Sequence, residues 1–470
     1  MLPAPDPGAS EAGGCDQLAV TIQESNQPGL GQLVTSAKTV TNSRSVARAS
    51  PGAGGLSVPA LVLLERCGQA LDVGGTASVQ VLGDGSAAGS IHADSDGSCA
   101  SATAAVFDGG QPASIQADRA ITGTAPGVIS TVALSAVGVP TFAYDSLANV
   151  VAQGQPGPPA NGPTGRLMVG RGVVDKRYLS AVNSAILVAG TRWSAEPPAG
   201  AGVTTYTGAA CNGINGSIPG STVYFQCPVA DFANATLPAA TLVVFTGRIS
   251  VATNGRSLNM PLAREVYVKG ATGNAIDLKG TLNINDGAST TCPSAASPAT
   301  SRLVVGTGSF SAGAQAQVRL CGTAVVMADN SGTPPCDRPL SAVLPGAAPN
   351  ENNCQGAIQL GGGAAIVWTA PNVTDAPTTD YSQLEDLALW TETRLNNSLG
   401  GGGALSVSGV FFAPNAKPLS VSGGATSAQP ANAQFLARQI FFTGGSKLSM
   451  RPNRSNSVSI PAPTQYSLVR

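Results

Sequence analysis

Short stretches in which apolar and polar residues alternate recur along most of this chain, each ended by Gly, Asn, Asp or Pro. Typical examples are "ASVQVLGDG" (77–85), "TLNINDG" (281–287) and "AQVRLCGTAVVM" (316–327). Alternation with a period of two places one side of a strand in a core and the other side in solvent. The pattern therefore predicts an all-β chain made of very short strands.

Two architectures fit strands this short: a parallel β-helix and a tandem array of β-sandwiches. The corners are Gly or Asn, and the hairpin dipeptide Asn-Gly is not placed systematically between the strands. The phrase apolar-x-apolar-x-Gly also returns, as in "LSVSG" (405–409) and "IDLKG" (276–280). We therefore predict a right-handed parallel β-helix (β-solenoid) with loop excursions and one or two short helices, and keep tandem β-sandwiches as the alternative.

The stretch "LSVSGVFFAPNAKPLSVSGG" (405–424) contains the tetrapeptide Ser-Val-Ser-Gly twice. We expect two strands on neighbouring faces or coils, with Val407 and Val421 buried and the serines pointing outward. Phe411 or Phe412 would pack inside, and "APNAKP" would turn the corner, since its prolines cannot donate ladder hydrogen bonds.

Four segments follow from the pattern. Residues 1–45 form an N-terminal segment, anchor-proximal and partly helical or disordered, with a candidate helix over 32–49. Residues 46–153 form a first β-helix part, the Pro/Gly-rich stretch 154–165 a linker or loop, and 166–470 the main β-helix part.

A further short helix is expected near 381–392. In "DYSQLEDLALWTET" (380–393), Leu384, Leu387 and Leu389 to Trp390 would share one apolar face, and Asp380 could cap the first turn.

Charged residues make up 11% of the 470 residues, against roughly 25% in an average soluble domain. No apolar run approaches the roughly 20 residues that a membrane-spanning helix needs. Net charge is −1 and no basic stripe is present, so a nucleic-acid partner is not expected. The sequence also lacks a phosphate-binding loop, and no cofactor is expected.

Nine cysteines are present, none of them in a Cys-x-x-Cys motif. Eight fall into neighbouring pairs separated by 16 to 32 residues, and Cys15 is left over. Local disulfides of this kind indicate an oxidising, extracytoplasmic location; buried free thiols are the alternative. The expected pairs are Cys67–Cys99, Cys211–Cys227, Cys292–Cys321 and Cys336–Cys354. An exported chain needs a signal peptide or anchor, and "MLPAPDPGASEAGG" shows neither, so we expect a truncated form of a longer protein.

Residues suited to catalysis are scarce. Asp94 and Asp96, two apart, would share a face of a strand and form a weak candidate site for Ca²⁺ or an acid–base pair, but a solvated turn is favoured. His92 is the only histidine, and we expect it on the surface or in a loop. The chain is therefore predicted not to be an enzyme.

The segment 381–453 carries the phrases Leu389-Trp390, "GVFFAPNA" (409–416), "AQF" (433–435) and "GGSKLSM" (444–450). It resembles the TadE/TadG-like proteins associated with assembly of the bacterial Flp (Tad) pilus, and the stretch 43–83 resembles the start of their ectodomain. The resemblance covers about half of the chain. It implies an extracytoplasmic ectodomain preceded by one transmembrane anchor that this sequence does not contain.

These observations together predict a non-enzymatic structural protein of a bacterial cell surface or pilus, adhesive or self-assembling. Its partners would be other envelope or pilus proteins, itself, or a surface glycan, with membrane contact only through the anchor. A β-helix polysaccharide-binding protein or carbohydrate-active enzyme is the alternative.

Overall fold

The computed structural model describes residues 17–26, 39–51, 175–286, 300–328, 356–371 and 384–452, the last with short gaps. It also describes shorter stretches between 58 and 142, Cys292 and residues 464–469. The chain divides into two compact units, of which the first comprises Met1–Leu56 and Pro461–Arg470 and the second Ser57–Ile460.

The first unit is a three-stranded antiparallel sheet of β1 (Gln17–Asn26), β2 (Thr39–Pro51) and β34 (Thr464–Val469). The middle strand is β2, in which Val46 pairs with Ala19 on one side and with Val469 on the other. The helix predicted for 32–49 is wrong over 39–49, where the β-branched residues Thr39, Val40, Thr41 and Val46 favour an extended chain.

The described residues of the second unit form the remaining strands, a 20-residue α-helix and a short 3-10 helix (Gly208–Cys211), with the strands and the α-helix named here in chain order. Before the helix lie β3 (Val58–Leu63), β4 (Leu71–Val73), β5 (Ser78–Val81), β6 (Ala88–Ala93), β7 (Val106–Asp108), β8 (Ser114–Ala117), β9 (Ile121–Gly123), β10 (Ile129–Ser130), β11 (Ser135–Ala136) and β12 (Thr141–Phe142). The helix is α1 (Asp175–Ser194). After it come β13 (Val203–Thr207), β14 (Ile214–Ser217), β15 (Thr222–Gln226), β16 (Val229–Thr236), β17 (Leu242–Phe245), β18 (Arg248–Val251), β19 (Ser257–Met260), β20 (Glu265–Leu278), β21 (Thr281–Ile284), β22 (Ser301–Ala312), β23 (Gln317–Leu320) and β24 (Thr323–Met327). The last strands are β25 (Ile358–Leu360), β26 (Ala365–Thr369), β27 (Leu387–Trp390), β28 (Asn397–Leu399), β29 (Leu405–Ala413), β30 (Leu419–Val421), β31 (Asn432–Ala437), β32 (Ile440–Phe442) and β33 (Lys447–Met450).

These strands form a three-sided parallel β-helix, as predicted. One coil consists of β17, β18 and β19, and the next coil consists of the two ends of β20 followed by β21. The pairings of the second unit are parallel, which excludes tandem β-sandwiches, whose strands are antiparallel. We call the three sides face A, which contains β17, face B, which contains β18, and face C, which contains β19.

Inward side chains stack from coil to coil and form the core. On face A, Val243, Val266, Leu303 and Val325 follow one another in register and are fully buried. Each such side chain contributes roughly 1.5–3 kcal/mol by leaving water. Aromatic residues form part of the same stack: the rings of Phe411 and Phe435 lie 4.9 Å apart and those of Phe225 and Phe245 lie 4.7 Å apart.

The repeated tetrapeptide has the predicted role. Its first copy lies in β29 on face C, and its second copy begins in β30 on face B. Val407 and Val421 are buried, and Ser406 is exposed. Phe411 points into the core, while Phe412 is buried on the outer side of face A, where its ring packs against Trp390.

The outer side of face A is apolar and covered. One column of outward residues runs through Tyr224, Val244, Tyr267, Val304 and Val326, all buried. Helix α1 packs on β17, β20, β22 and β24 and forms one apolar cluster with this column. The helix presents the residues Tyr178, Ala181, Val182, Ala185 and Ala189 at helical spacing.

The helix predicted near 381–392 is wrong over 387–390. Residues Leu387–Trp390 form β27 on face A. The preceding residue, Asp386, has a φ of 65°, which a right-handed α-helix does not allow. All four strand residues are buried because both sides of face A are covered here. A strand buried on both sides is continuously apolar, so its sequence resembles one side of a short helix.

In the second unit, the order in which the coils stack differs from their order along the chain. The last coil, β31, β32 and β33, pairs in parallel with the first coil, β3, β4 and β5. From there β6 to β12 continue the stack away from the C-terminal coils. The described strands between 58 and 142 and those between 203 and 450 are therefore joined edge to edge in one compact unit, whereas residues 46–51 and 464–469 of the predicted β-helix parts belong to the sheet of the first unit. The predicted linker 154–165 lies outside the described residues.

Candidate functional site

The candidate surface is the outer side of face C, where polar side chains form two columns. Strands here alternate between inward apolar and outward polar residues, so each coil presents two outward groups. We call the outward residues of four consecutive strands the polar ladder: Asn234 and Thr236 of β16, Ser257 and Asn259 of β19, Thr281 and Asn283 of β21, and Gln317 and Arg319 of β23.

Members of the polar ladder hydrogen-bond to one another between coils. The Ser257 hydroxyl donates to Asn234 Oδ1 at 3.3 Å, and Asn259 Nδ2 donates to Thr236 Oγ1 at 3.5 Å. Asn283 Nδ2 donates to Asn259 Oδ1 at 2.5 Å. Because parallel strands place equivalent residues about 4.8 Å apart, these short side chains reach their neighbours without bending the strands. These hydrogen bonds favour one arrangement of the Ser257, Asn259 and Asn283 side chains.

Charges lie at the margins of this surface. Arg319 Nη2 donates to Gln317 Oε1 at 3.4 Å, and Arg319 Nη1 lies 3.8 Å from Asp286 Oδ2 at the next corner. On the side toward face B, Arg256 pairs with Asp231 at 3.1 Å, and the Ser250 hydroxyl donates to the same carboxylate. Arg319 is the one charged member of the polar ladder, and its ion pair with Asp286 offsets that charge.

Face B presents one continuous column of outward residues, and a second outward position occurs in β16 and β18, at Val229 and Arg248. From one coil to the next this column reads Asp231, Ser250, Asp277, Ser311, Gln359, Ser398, Ser420, Phe441 and Asp72. Burial raises the pKa of the Asp72 carboxyl above its ordinary value. Apart from Phe441 the column is polar, but it lacks the two parallel rows of hydrogen-bonding groups that face C has.

A second polar group lies at the start of face A. Arg302 Nη2 contacts Glu265 Oε1 at 2.8 Å, and its guanidinium lies 5.5 Å from the centre of the Tyr267 ring. Burial, the largest effect, raises the pKa of the Tyr267 hydroxyl beyond its usual range. The arrangement neutralises a buried arginine under the helix side of the β-helix, which is a structural role.

The structure describes two of the four expected cysteine pairs, and both are bonded. Cys211–Cys227 has a Cα–Cα separation of 6.3 Å and ties the first coil after α1 to β15. Cys292–Cys321 has a Cα–Cα separation of 5.4 Å and anchors the excursion after β21. Cys15, Cys67, Cys99, Cys336 and Cys354 lie outside the described residues.

The candidate acids Asp94 and Asp96 also lie outside the described residues. His92 is described, and its expected surface position is wrong: it lies in β6 with 2% of its surface exposed, beside Val62 in the covered outer column of face A. Within the described ranges, no group of three His, Cys, Asp or Glu residues is placed to hold a metal ion. None of the described helices combines the length and apolar character needed to cross a bilayer.

The sequence predicts that the outward residues of these strands are polar, but it does not predict which of them lie next to one another on face C. Alternation marked the outward residues, yet which of them share a column depends on the stacking register and on which turns separate the coils. Asn234, Asn259 and Asn283 come together only because the intervening turns place β16, β19 and β21 on one face.

No protein-family model, curated protein or solved structure matches this chain.

Proposed function

We propose that this chain is a non-enzymatic, extracytoplasmic structural protein of a bacterial cell envelope, associated with the cell surface or with a pilus. The resemblance to TadE/TadG-like ectodomains motivates the pilus association. Two disulfides at separate places in the β-helix support an oxidising location, because such bonds do not persist in most cytosols.

The observation that carries the structural role is the polar ladder. Hydrogen bonds join its side chains on β16, β19 and β21 from coil to coil, so this part of the surface is uncharged and held in a defined arrangement. A repeating surface on a stiff β-helix suits contact with another elongated or repetitive molecule, such as a pilus or envelope protein. A β-helix pinned by disulfides also resists unfolding outside the cell.

Surface labelling tests the location. Lys269, Lys279 and Lys447 are exposed and would react with a membrane-impermeant biotin ester. On intact cells that make the protein we expect biotinylation of this chain, with a cytoplasmic protein as the unlabelled control. Labelling that requires prior lysis of the cells would contradict the proposal.

Glycan binding is the second candidate function, and a specific observation favours it. Two parallel rows of amides and hydroxyls, about 4.8 Å apart from coil to coil, offer both donors and acceptors to sugar hydroxyls. Sedimentation with insoluble envelope polysaccharides tests this function. The parent should co-sediment, the N234A/N259A variant should lose about tenfold in affinity, and S398A on face B should bind like the parent.

The same assay separates binding from catalysis. If the chain only binds, no reducing sugar should be released during the incubation. Release of sugar that persists in N234A/N259A would instead indicate a carbohydrate-active enzyme whose site lies elsewhere.

A further inference from the structure

In the second unit, two coils that stack directly on each other lie far apart in the sequence. On one side of the boundary between them is the C-terminal coil, β31, β32 and β33, and on the other is the N-terminal coil, β3, β4 and β5. We call this boundary the seam. It joins two parts of the chain, residues 1–142 and residues 175–470, which are connected through residues 143–174.

The seam is held by backbone hydrogen bonds like those between any two successive coils. Gly74 N donates to Phe442 O at 2.9 Å, Ser78 N to Ser446 O at 2.8 Å, and Leu82 N to Met450 O at 2.7 Å. The ladder continues on face A, where Leu61, Val62 and Leu63 pair with Phe435, Leu436 and Ala437. If the seam opened, two strand edges would be left that are complementary to each other.

Side chains add specificity to the seam. Arg438 Nε lies 2.7 Å from Glu65 Oε2, and the Glu65 side chain is 7% exposed. Gln434 Nε2 donates to Pro59 O at 2.8 Å, and Gln439 Nε2 donates to Gln69 O at 2.9 Å. These buried polar contacts would be costly to leave unpaired, so each side strongly favours its own complement.

The first unit is divided between the same two parts of the chain. Its strand β2 belongs to residues 1–142, and its strand β34 belongs to residues 175–470. Their antiparallel pairing runs from Val46–Val469 to Pro51–Thr464. Both units therefore depend on the same two chain parts finding each other.

The connection between these parts is long compared with the distance it spans. The connection leads to α1, which packs on β17, β20, β22 and β24. Following the pairings on face A from β12 to β17, the farthest of these strands, gives ten steps, or roughly 50 Å at about 4.8 Å each. The roughly 30 residues of 143–174 can extend to roughly 100 Å. The connection could therefore reach a neighbouring molecule as well as the same one.

We propose that the seam is also an interface between two copies of this chain, formed by exchange of residues 1–142. In the exchanged dimer, the N-terminal coils of each copy stack on the C-terminal coil of the other, and β2 of each pairs with β34 of the other. Every hydrogen bond between the described residues of the two chain parts is kept, so the exchange has a low thermodynamic cost. This inference goes beyond the proposed function and does not depend on where in the cell the protein acts.

A cysteine placed on each side of the seam reports the exchange. Ser78 and Lys447 are register partners on the outer side of face C, and neither is buried. Two full-length chains with different affinity tags, one carrying S78C and the other K447C, are co-expressed and purified through both tags in sequence. Oxidation should then give a covalent heterodimer that migrates at twice the monomer mass on a non-reducing gel.

Two controls make the result specific. The double variant S78C/K447C in one chain should form the bond within the monomer, which shows that the geometry permits it. Replacing K447C by S406C moves the thiol to an exposed position on another coil of face C, and the heterodimer should then be lost.

Two outcomes would overturn the proposal. One is that the second tag never co-purifies and light scattering finds only monomer up to millimolar concentration, although the double variant cross-links within its chain. The other is that S406C cross-links to S78C as efficiently as K447C, because the copies would then associate through another surface.

Discussion

At the scale of single residues, Gly306 of β22 decides how closely α1 can approach face A. A Cβ atom at this position would lie 2.7 Å from the Trp193 ring and 2.9 Å from Lys269 O. Trp193 is 6% exposed at the end of the helix and has little room to move. We expect G306A to lower the free energy of unfolding by about 1–3 kcal/mol, measured by urea titration.

Gly313 provides the matched control for this prediction. It follows the same strand, and a Cβ atom at this position would lie 3.7 Å from Leu278 O and 4.0 Å from the Lys279 side chain. G313A should therefore have a free energy of unfolding close to that of the parent. If G306A is equally stable, the contact between Trp193 and β22 does not hold the helix in place.

Tyr267 should make the free energy of unfolding depend on pH in the alkaline range. An unfolded tyrosine loses its proton near pH 10, whereas burial raises the pKa of Tyr267 in the folded protein. Above about pH 10 the unfolded state therefore gains free energy by ionising, and stability falls by at most about 1.4 kcal/mol per pH unit from this group. Below about pH 10 tyrosine is protonated in both states, so the contribution of Tyr267 to the free energy of unfolding is fully present.

The Y267F variant tests this dependence. Its free energy of unfolding, measured between pH 8 and pH 11, should fall less steeply above pH 10 than that of the parent. Y206F changes a half-buried tyrosine elsewhere in the β-helix and serves as the control. Parallel curves for the parent and Y267F would contradict the expectation.

At the scale of elements, the strands are far easier to predict from the sequence than helix α1 or strand β27. Leu282 and Ile284, or Val318 and Leu320, alternate with polar residues and lie inward as expected. Helix α1 gives a weak signal because its buried side is made of small residues, with Ala181, Ala185 and Ala189 in place of large apolar ones. Conversely, β27 resembles a helix in sequence because it is buried on both sides.

Helix α1 should tolerate substitution on one side only. Ala185 is fully buried against face A, whereas Leu187, two residues later, is 73% exposed. A185E would place a carboxylate in the apolar cluster and should destabilise the protein by about 2–4 kcal/mol or detach the helix. L187E should be neutral within about 0.5 kcal/mol.

Limited proteolysis together with urea titration distinguishes these variants. A185E should be cleaved within 175–194 at protease concentrations that leave L187E and the parent intact. If A185E resists cleavage and unfolds at the same urea concentration as the parent, the helix contributes little to the stability of the second unit.

At the scale of the whole molecule, the sequence predicts the coils but not their order in space. Nothing in "SVPALVLL" (57–64) indicates that its partner is "AQFLA" (433–437), because every apolar strand of a β-helix satisfies the same pattern. The coil order becomes visible only in the strand pairings across the seam, which join residues more than 360 positions apart in the sequence. The columns of the polar ladder depend on that stacking and are unpredictable from sequence for the same reason.

This coil order predicts that the chain can be circularly permuted at 143–174. In the first unit, β1 and β34 both pair with β2, so they lie about 10 Å apart, and residues 1–16 can serve as a linker between them. A chain beginning near Pro163 and joining Arg470 to Met1 would bring the two sides of the seam closer in sequence. We expect it to fold with a free energy of unfolding within about 1 kcal/mol of the parent, because no described hydrogen bond is lost.

A permutant opened at the exposed turn 253–255 between β18 and β19 is the control. It also starts in an exposed turn, but it cuts a coil in the middle of the stack, so the ends on either side of the cut fray and the protein should be less stable. Carrying S78C and K447C in both permutants shows whether the seam forms, since oxidation should close the bond within each folded monomer. If the permutant opened near Pro163 aggregates while the control folds, the region 143–174 is more than a connection, and the two chain parts need it to join at the seam.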